Sequence, residues 1–198
     1  MSNPDNFKKE SEWLTEGRVL EYLNMADTLP HRIEGEDILI EHIPLHSKRI
    51  LDLGTGNGRL IGLLKNNKKL SIVEAVGLDF SPLMIKHAKN EFSGDYSVKI
   101  IEHDLNNSLL HKINDKKFDV VVSSFAIHHL EHDRKRSLYT EVFSILNSGG
   151  IFCNLDHVSS PSIRLHERFM ASWVKHQTMK IVPIDYWICI LNLNGYRI

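Results

Sequence analysis

Cysteine is nearly absent from this chain: only Cys153 and Cys189 occur in 198 residues, each inside an apolar run. That argues against a disulfide-stapled scaffold and fits a reducing compartment. Long apolar runs are missing too, for no stretch approaches the roughly 18 consecutive apolar residues of a membrane span. The first ten residues, MSNPDNFKKE, are polar where a secretory leader is apolar. The chain is therefore expected to be cytoplasmic, with no membrane partner. Neither sign of charge prevails: 24 Lys and Arg oppose 25 Asp and Glu, for a formal net charge of −1. The lysines are scattered, as in Lys65, Lys68 and Lys69 or Lys116 and Lys117. They read as solvated helix faces rather than a basic stripe, which disfavours nucleic acid as a partner. Internal repeats and low-complexity tracts are also lacking. What remains, 42% hydrophobic and 25% charged, suffices for one well-cored soluble domain.

The most informative segment is ILDLGTGNG, residues 50–58. It reads as a buried strand ending in a carboxylate and a glycine-rich turn. Asp52 lies near the carboxyl end of the strand, and Gly54, Gly56 and Gly58 remove side chains where a ligand must approach the main chain. A dinucleotide fingerprint, G-x-G-x-x-G, does not fit, because position 59 is Arg59 and the third glycine comes one residue early. A phosphate loop also fails for want of G-K-[ST]. The bland alternative is a strand-to-helix turn with glycines for close packing.

After residue 48 short apolar runs alternate with amphipathic stretches, the signature of repeated βαβ units and a parallel sheet. Five strands are expected: Ile50 to Leu53, Ile72 to Leu78 with Asp79 at its end, Ser97 to Ile101, Asp119 to Ser124, and Gly150 to Asp156. Helices fit between them, notably Pro82 to Phe92 behind a Ser81 cap, and Lys135 to Leu146 before an Asn-Ser-Gly-Gly stop. In an open sheet of this kind the ligand lies beyond the carboxyl ends of the strands, where strand order reverses. Asp52, Asp79, Asp104 and Ser124 each stand at such an end, as if four segments contributed one group apiece. Upstream, Glu12 to Pro44 reads as two helices around a break at Leu29-Pro30, with Trp13, Leu20, Leu23 and Met25 as apolar contacts. This segment is expected to cover the mouth of the site. The expected organisation is one domain with an N-terminal helical lid (1–47), a Rossmann-like core (48–157) and a C-terminal helical segment (158–198).

With Asp52, the pattern D-x-G-x-G-x-G resembles motif I of the class I S-adenosylmethionine-dependent methyltransferases. The resemblance extends from Lys48 to His157, through VGLDFSPLMIKHA, EHDL, FDVVVSSFAIHHL and LNSGGIF. It is similar to the small-molecule, ubiquinone-biosynthesis type. The resemblance implies a doubly wound α/β sheet and S-adenosyl-L-methionine as cofactor. It implies that Asp52, Gly54, Gly56, Asn57, Gly58, Asp79, Phe80, Met84, Asp104, Leu105 and Ser124 form the cofactor site. Asp79 accepts from both ribose hydroxyls in this scheme, because a carboxylate is acceptor-only and can receive two donors. Phe80 and Met84 flank the adenine, Asp104 with Leu105 reads its edge, and the glycines admit the methionine end.

A methyl group on a sulfonium is already activated, so the protein's tasks are alignment and exclusion of water. His128 and His129 follow the fourth strand on the acceptor side and are the catalytic candidates. One of them could be a general base for a hydroxyl or acidic carbon, a positioning group, or simply a packed histidine. A metal through His128 and His132 lacks a third ligand, so none is expected. The D/N-P-P-Y/F motif of amine methyltransferases that act on adenine or glutamine is replaced by SSFAIHH, which disfavours those substrates. The expected function is methyl transfer to a small molecule whose nucleophilic atom is unspecified. The alternative is a regulatory protein that binds S-adenosylmethionine without transfer.

Beyond Ser159 the resemblance weakens. PSIRLHERFMASWVKH and PIDYWICILNLNG both read as helices, the second with Gly195 as its C′ residue. Family members usually continue with an antiparallel hairpin beside the fifth strand. That hairpin is expected to be missing, with Tyr196 to Ile198 at most its beginning, leaving the fifth strand as an open edge.

Overall fold

The structure, a computed structural model, describes residues 13–26, 32–113, 116–157, 164, 167 and 186–192. Helices α1 (Glu16–Met25) and α2 (Arg32–Glu41) precede strand β1 (Arg49–Leu53). The core continues with α3 (Arg59–Asn66), β2 (Glu74–Asp79), α4 (Pro82–Glu91), β3 (Val98–Glu102) and the short α5 (Leu110–Ile113). Then follow β4 (Phe118–Ser124), a 3₁₀ turn (Ile127–His129), α6 (His132–Ile145), β5 (Leu146–His157) and β6 (Tyr186–Asn192).

The six strands lie in the order β3-β2-β1-β4-β5-β6. The first five are parallel and β6 is antiparallel to β5. The chain thus starts in the centre, winds outward to β3, and returns to the other side of β1. That reversal opens a crevice beyond the ends of β1 and β4, where ligands bind in doubly wound sheets. Strand alternation sorts side chains onto the two faces. Leu51 and Leu53 pack with Val76, Val121, Phe152 and the α6 residues Leu138, Val142 and Ile145. Ile50 faces the opposite layer, with Val120, Val122, Cys153, α2 Leu39 and α3 Ile61 and Leu64. Each central strand is therefore apolar on both faces, as a sheet covered by helices on both sides requires.

The local signals act as expected at several places. Ser81 caps α4, its Oγ accepting the Met84 N–H at 3.4 Å, and Pro82 fills the first helical turn. Elsewhere the structure corrects the reading. Helix α6 begins earlier than expected, at His132, and ends as expected, with Leu146 as its C-cap; strand β5 starts at once rather than at Gly150, and the Asn-Ser-Gly-Gly stretch lies inside it at a register shift, where Phe118 pairs with Leu146, then Val120 with Ile151. Asn147 Nδ2 donates to Asp119 Oδ1 at 2.7 Å across this irregularity. In the lid, Leu20 and Met25 are exposed and Val19 takes the buried position on α1. The break at Leu29-Pro30 lies outside the described residues.

The largest correction concerns the C-terminal segment. Residues 186–192 form a strand, not a helix, and pair with β5 from Ile151↔Asn192 to His157↔Tyr186. The sequence YWICILN is rich in aromatic and β-branched residues, which favour strands, and β5 offers an edge of unsatisfied backbone groups. The fifth strand is therefore not the open edge expected. Arg164 and Glu167 are helical; the rest of the expected helix over 161–176, and Gly195, lie outside the described residues.

Candidate active site

The turn after β1 is tied to β2 by its backbone. Gly54 and Thr55 both donate their N–H groups to the Leu78 carbonyl, at 2.8 and 2.9 Å. The next donor, Gly56 N–H, reaches Asp79 Oδ2 at 2.8 Å, while Ser81 N–H bonds Asp79 Oδ1 at 2.9 Å. All three glycines have positive φ, but they face different surroundings. A Cβ on Gly54 would lie 2.2 Å from the Ala126 Cβ, and one on Gly58 2.4 Å from the Phe92 ring. A Cβ on Gly56 would meet nothing within 4 Å. Gly54 and Gly58 thus serve packing, whereas Gly56 leaves open space beside the strand ends.

That space belongs to a cavity of about 210 Å³. Its wall takes Gly54 and Gly56 from the first turn and Asp79, Phe80, Ser81 and Met84 from the second. The segment after β3 supplies His103, Asp104, Leu105 and Asn106, and the one after β4 supplies Ser124, Phe125, Ala126 and His128 to Leu130. Trp13 and Tyr22 close it from the lid. Among the expected cofactor residues, Gly54, Gly56, Asp79, Phe80, Met84, Asp104, Leu105 and Ser124 come together here, as do His128 and His129. Asp52, Asn57 and Gly58 do not line the cavity.

Asp52 lies on the same strand face as Ile50, below the turn. Its carboxylate receives the Thr55 hydroxyl at 2.7 Å and is 1% exposed. Burial pushes its pKa up to about 7, against the Thr55 hydrogen bond, with Asp79 and Glu36 adding to the rise. Nearby, Glu36 binds Arg32 at 2.8 Å and Arg59 at 3.0 Å, and Arg32 donates to the Tyr22 hydroxyl at 2.6 Å. This buried chain of ions joins both lid helices to the helix that starts at the glycine turn. Burial also raises Asp79 above the usual carboxylate range, opposed by the backbone N–H groups of Ser81, Gly56 and Phe80.

Two polar atoms of the wall are buried without a hydrogen-bond partner among the described residues: Ser124 Oγ and His103 Nε2. Burial lowers the His103 pKa, which keeps the ring neutral at physiological pH. Phe125 takes a positive φ of 55° directly after β4, a conformation that costs a non-glycine residue on the order of 1–2 kcal/mol. Asp104 Oδ1 accepts from both the backbone N–H and the side-chain amide of Asn106, at 2.8 and 3.0 Å, which fixes its loop. His103, Asn106, Phe125 and Tyr22 were not picked out from the sequence. Trp13 was, though only as an apolar contact. Among the described residues no group of three or more His, Cys, Asp or Glu is placed to hold a metal ion.

Residues 50–150, just over half of the chain, match the family described as a methyltransferase domain. Over 140 residues the chain is 31% identical to demethylmenaquinone methyltransferase of Thermus thermophilus, covering 70% of this chain and 59% of that protein. It is 22% identical over 200 residues to phosphoethanolamine N-methyltransferase of Plasmodium falciparum, covering 100% of this chain and 73% of the relative. Among solved structures, a DhpI-SAM-HEP complex superposes with a TM-score of 0.64 at 20% identity, covering 85% of this chain and 73% of the other, a likeness of fold. The chain spans about half the length of several curated relatives, between 42% and 59%. On the family match and the strand-end arrangement together, the chain belongs to the class I S-adenosylmethionine-dependent methyltransferase family.

Proposed function

We propose that this chain binds S-adenosyl-L-methionine in the strand-end cavity and transfers its methyl group to a small-molecule acceptor. The observation that carries the reading is the Asp79 clamp beside the open cradle at Gly56. A carboxylate has about four acceptor positions, and Gly56 and Ser81 take one on each Asp79 oxygen. The Phe80 N–H also acts on this carboxylate, so at least one acceptor position remains for a hydroxyl such as one of a ribose. The space a Gly56 side chain would fill is open to the aminoacyl part, and the Ser124 hydroxyl, which has no hydrogen-bond partner among the described residues, adds a polar group to the same wall.

In this reading Phe80 and Met84 flank the adenine, and Asp104 with Leu105 holds its edge. The bound cofactor supplies a methyl group already activated by the sulfonium. The chain's own work is to orient the partners and exclude water, with Trp13 and Tyr22 over the mouth and His128 and His129 beside the acceptor. A small acceptor suits a cavity of about 210 Å³ and the names of the relatives. No helix among the described residues is long and apolar enough to cross a membrane. Calorimetric titration with S-adenosylmethionine and its demethylated product, followed by an acceptor screen with radiolabelled methyl, tests the reading. Saturable binding of both and label transfer are expected; no binding of either ligand to folded protein would overturn it.

A further inference from the structure

We propose that Arg134 and Glu141, on α6 and behind the cavity wall, are positioning residues for the base of the cofactor: they fix the segment after β3 in its binding shape before a ligand arrives, and so set the preference for adenine. The inference rests on the methyltransferase reading above and deepens it. Residues 104–109, between β3 and α5, are neither helix nor strand. Their one turn bond runs from the Asn107 N–H to the Asp104 carbonyl at 2.9 Å. Yet this segment supplies Asp104, Leu105 and Asn106 to the cavity wall. A segment of that kind loses conformational entropy when a ligand binds, unless another part of the fold has ordered it first.

Arg134 supplies that order. Its Nε donates to the Leu105 carbonyl at 2.6 Å, and its Nη2 to the Asn107 carbonyl at 2.8 Å. The other N–H groups stay on α6: Nη1 donates to Ser137 Oγ at 2.7 Å and Glu141 Oε1 at 2.8 Å, and Nη2 to Glu141 Oε2 at 3.2 Å. A guanidinium carries five N–H groups in a planar fork, and each one here has an acceptor. Glu141 Oε2 in turn accepts the Leu109 N–H at 2.8 Å, which closes the circuit on the same segment. One ion pair, its side chains 13% and 14% exposed, thus holds the main chain at residues 105, 107 and 109. Bonds to charged groups shielded from water are the strong ones.

The ties reach the wall through Asn106, which stands between two clamped residues. Its backbone N–H and side-chain amide both donate to Asp104 Oδ1. The carboxylate assigned to the edge of the base is therefore oriented by a residue whose neighbours Arg134 grips. That orientation matters for discrimination. Adenine offers an amino group to an acid at its edge, whereas hypoxanthine has an oxygen there and sets acceptor against acceptor. An acid held in place rejects the second base; an acid on a loose segment swings aside at little cost. Base preference is therefore a readout that a purely structural ion pair would not move.

The test titrates the full chain, by calorimetry, with S-adenosylhomocysteine and with its inosine counterpart. The wild-type chain should prefer the adenine form by more than about tenfold. Arg134→Met keeps the apolar stem and removes the fork. It should weaken S-adenosylhomocysteine about tenfold and cut the preference to about twofold, with native circular dichroism. Glu141→Gln, which keeps an acceptor oxygen, should lie between the two. Arg136→Met removes an exposed cation of the same helix and should change neither affinity. In the ligand-free wild type the Leu109 amide should already exchange slowly, and ligand should slow it little further. An unchanged base preference in folded Arg134→Met overturns the inference. So do equal binding of both bases by the wild type, a Leu109 amide protected only in the complex, or a like loss in Arg136→Met. Unfolding of both Arg134→Met and Glu141→Gln also overturns it, since the pair would then support the fold alone. A wild-type chain that binds neither ligand would instead overturn the methyltransferase reading itself.

Discussion

The Asp79 carboxylate accepts the Gly56 N–H at 2.8 Å, so the acid ending β2 holds the glycine turn that ends β1. One side chain thereby shapes the turn and keeps acceptor positions for a ligand. Asp79→Ala should lose both roles, at a cost on the order of 1.5–3 kcal/mol per charge-assisted hydrogen bond removed. Cofactor affinity by calorimetry should fall more than tenfold in a variant whose circular dichroism is native. An unchanged affinity would mean that the ribose lies elsewhere.

Two neighbouring glycines should respond in opposite ways. Gly54→Ala puts a methyl 2.2 Å from the Ala126 Cβ at a φ of 73°, so overpacking adds to left-handed strain. A loss of about 2–4 kcal/mol of stability is expected. Gly56→Ala meets no atom within 4 Å and carries only the strain of a φ of 56°, but its methyl enters the cavity. It should keep most of its stability and lose cofactor affinity. Denaturant midpoints and calorimetry on both variants decide the matter; the reverse pattern would reassign which glycine faces the ligand.

Much of this arrangement was legible because periodicity and turn chemistry are local. The run ILDLGTGNG marked β1 and its turn, Asp79 marked the end of β2, and Ser81 marked the cap of α4. The spacing of glycines did not say which are closed in by neighbouring side chains and which borders open space, since that depends on Ala126 and Phe92, distant in sequence. Asp52 was placed in the site by its motif, yet alternation along β1 puts it on the face of Ile50, toward Thr55. Asp156 reads from the sequence only as the end of the fifth strand, because the His128 ring it meets is 28 residues away. The segment at 186–192 reads as a helix because an apolar run followed by Gly suits a helix end as well as a strand, and only pairing with β5 distinguishes them.

Asp52 makes stability depend on pH in an unusual direction. Its folded pKa, about 7, lies above the ordinary 3.8. Between about pH 4 and pH 7 the unfolded chain has lost this proton while the folded chain keeps it, so the folded state binds more protons and stability falls as pH rises. Above pH 7 both states are ionised at this group and the loss is complete, on the order of 4 kcal/mol. Asp52→Asn keeps an acceptor for the Thr55 hydroxyl and removes the titration. The stability difference between variant and wild type should therefore grow from pH 4 to pH 7 and then level off. A difference curve that shrinks over that range would show that Asp52 is ionised in the fold at low pH.

Strand β6 should be needed to keep β5 from associating with other chains. A chain ending at residue 185 lacks the partner that pairs with Ile151 through His157, leaving a row of unsatisfied N–H and C=O groups beside Phe152, Cys153 and Leu155. Exposed parallel edges of that length recruit other strands. The shortened chain should melt at lower temperature and scatter more light as concentration rises. Cofactor affinity should survive in outline, because the proposed contacts come from the ends of β1 to β4. Turnover should suffer more, since Asp156, which holds His128, sits in the strand that loses its neighbour. Hydrogen exchange gives the direct check: β5 amides protected in the full chain should exchange faster in the shortened one. If the shortened chain stays monomeric with β5 equally protected, another segment covers that edge and β6 is dispensable.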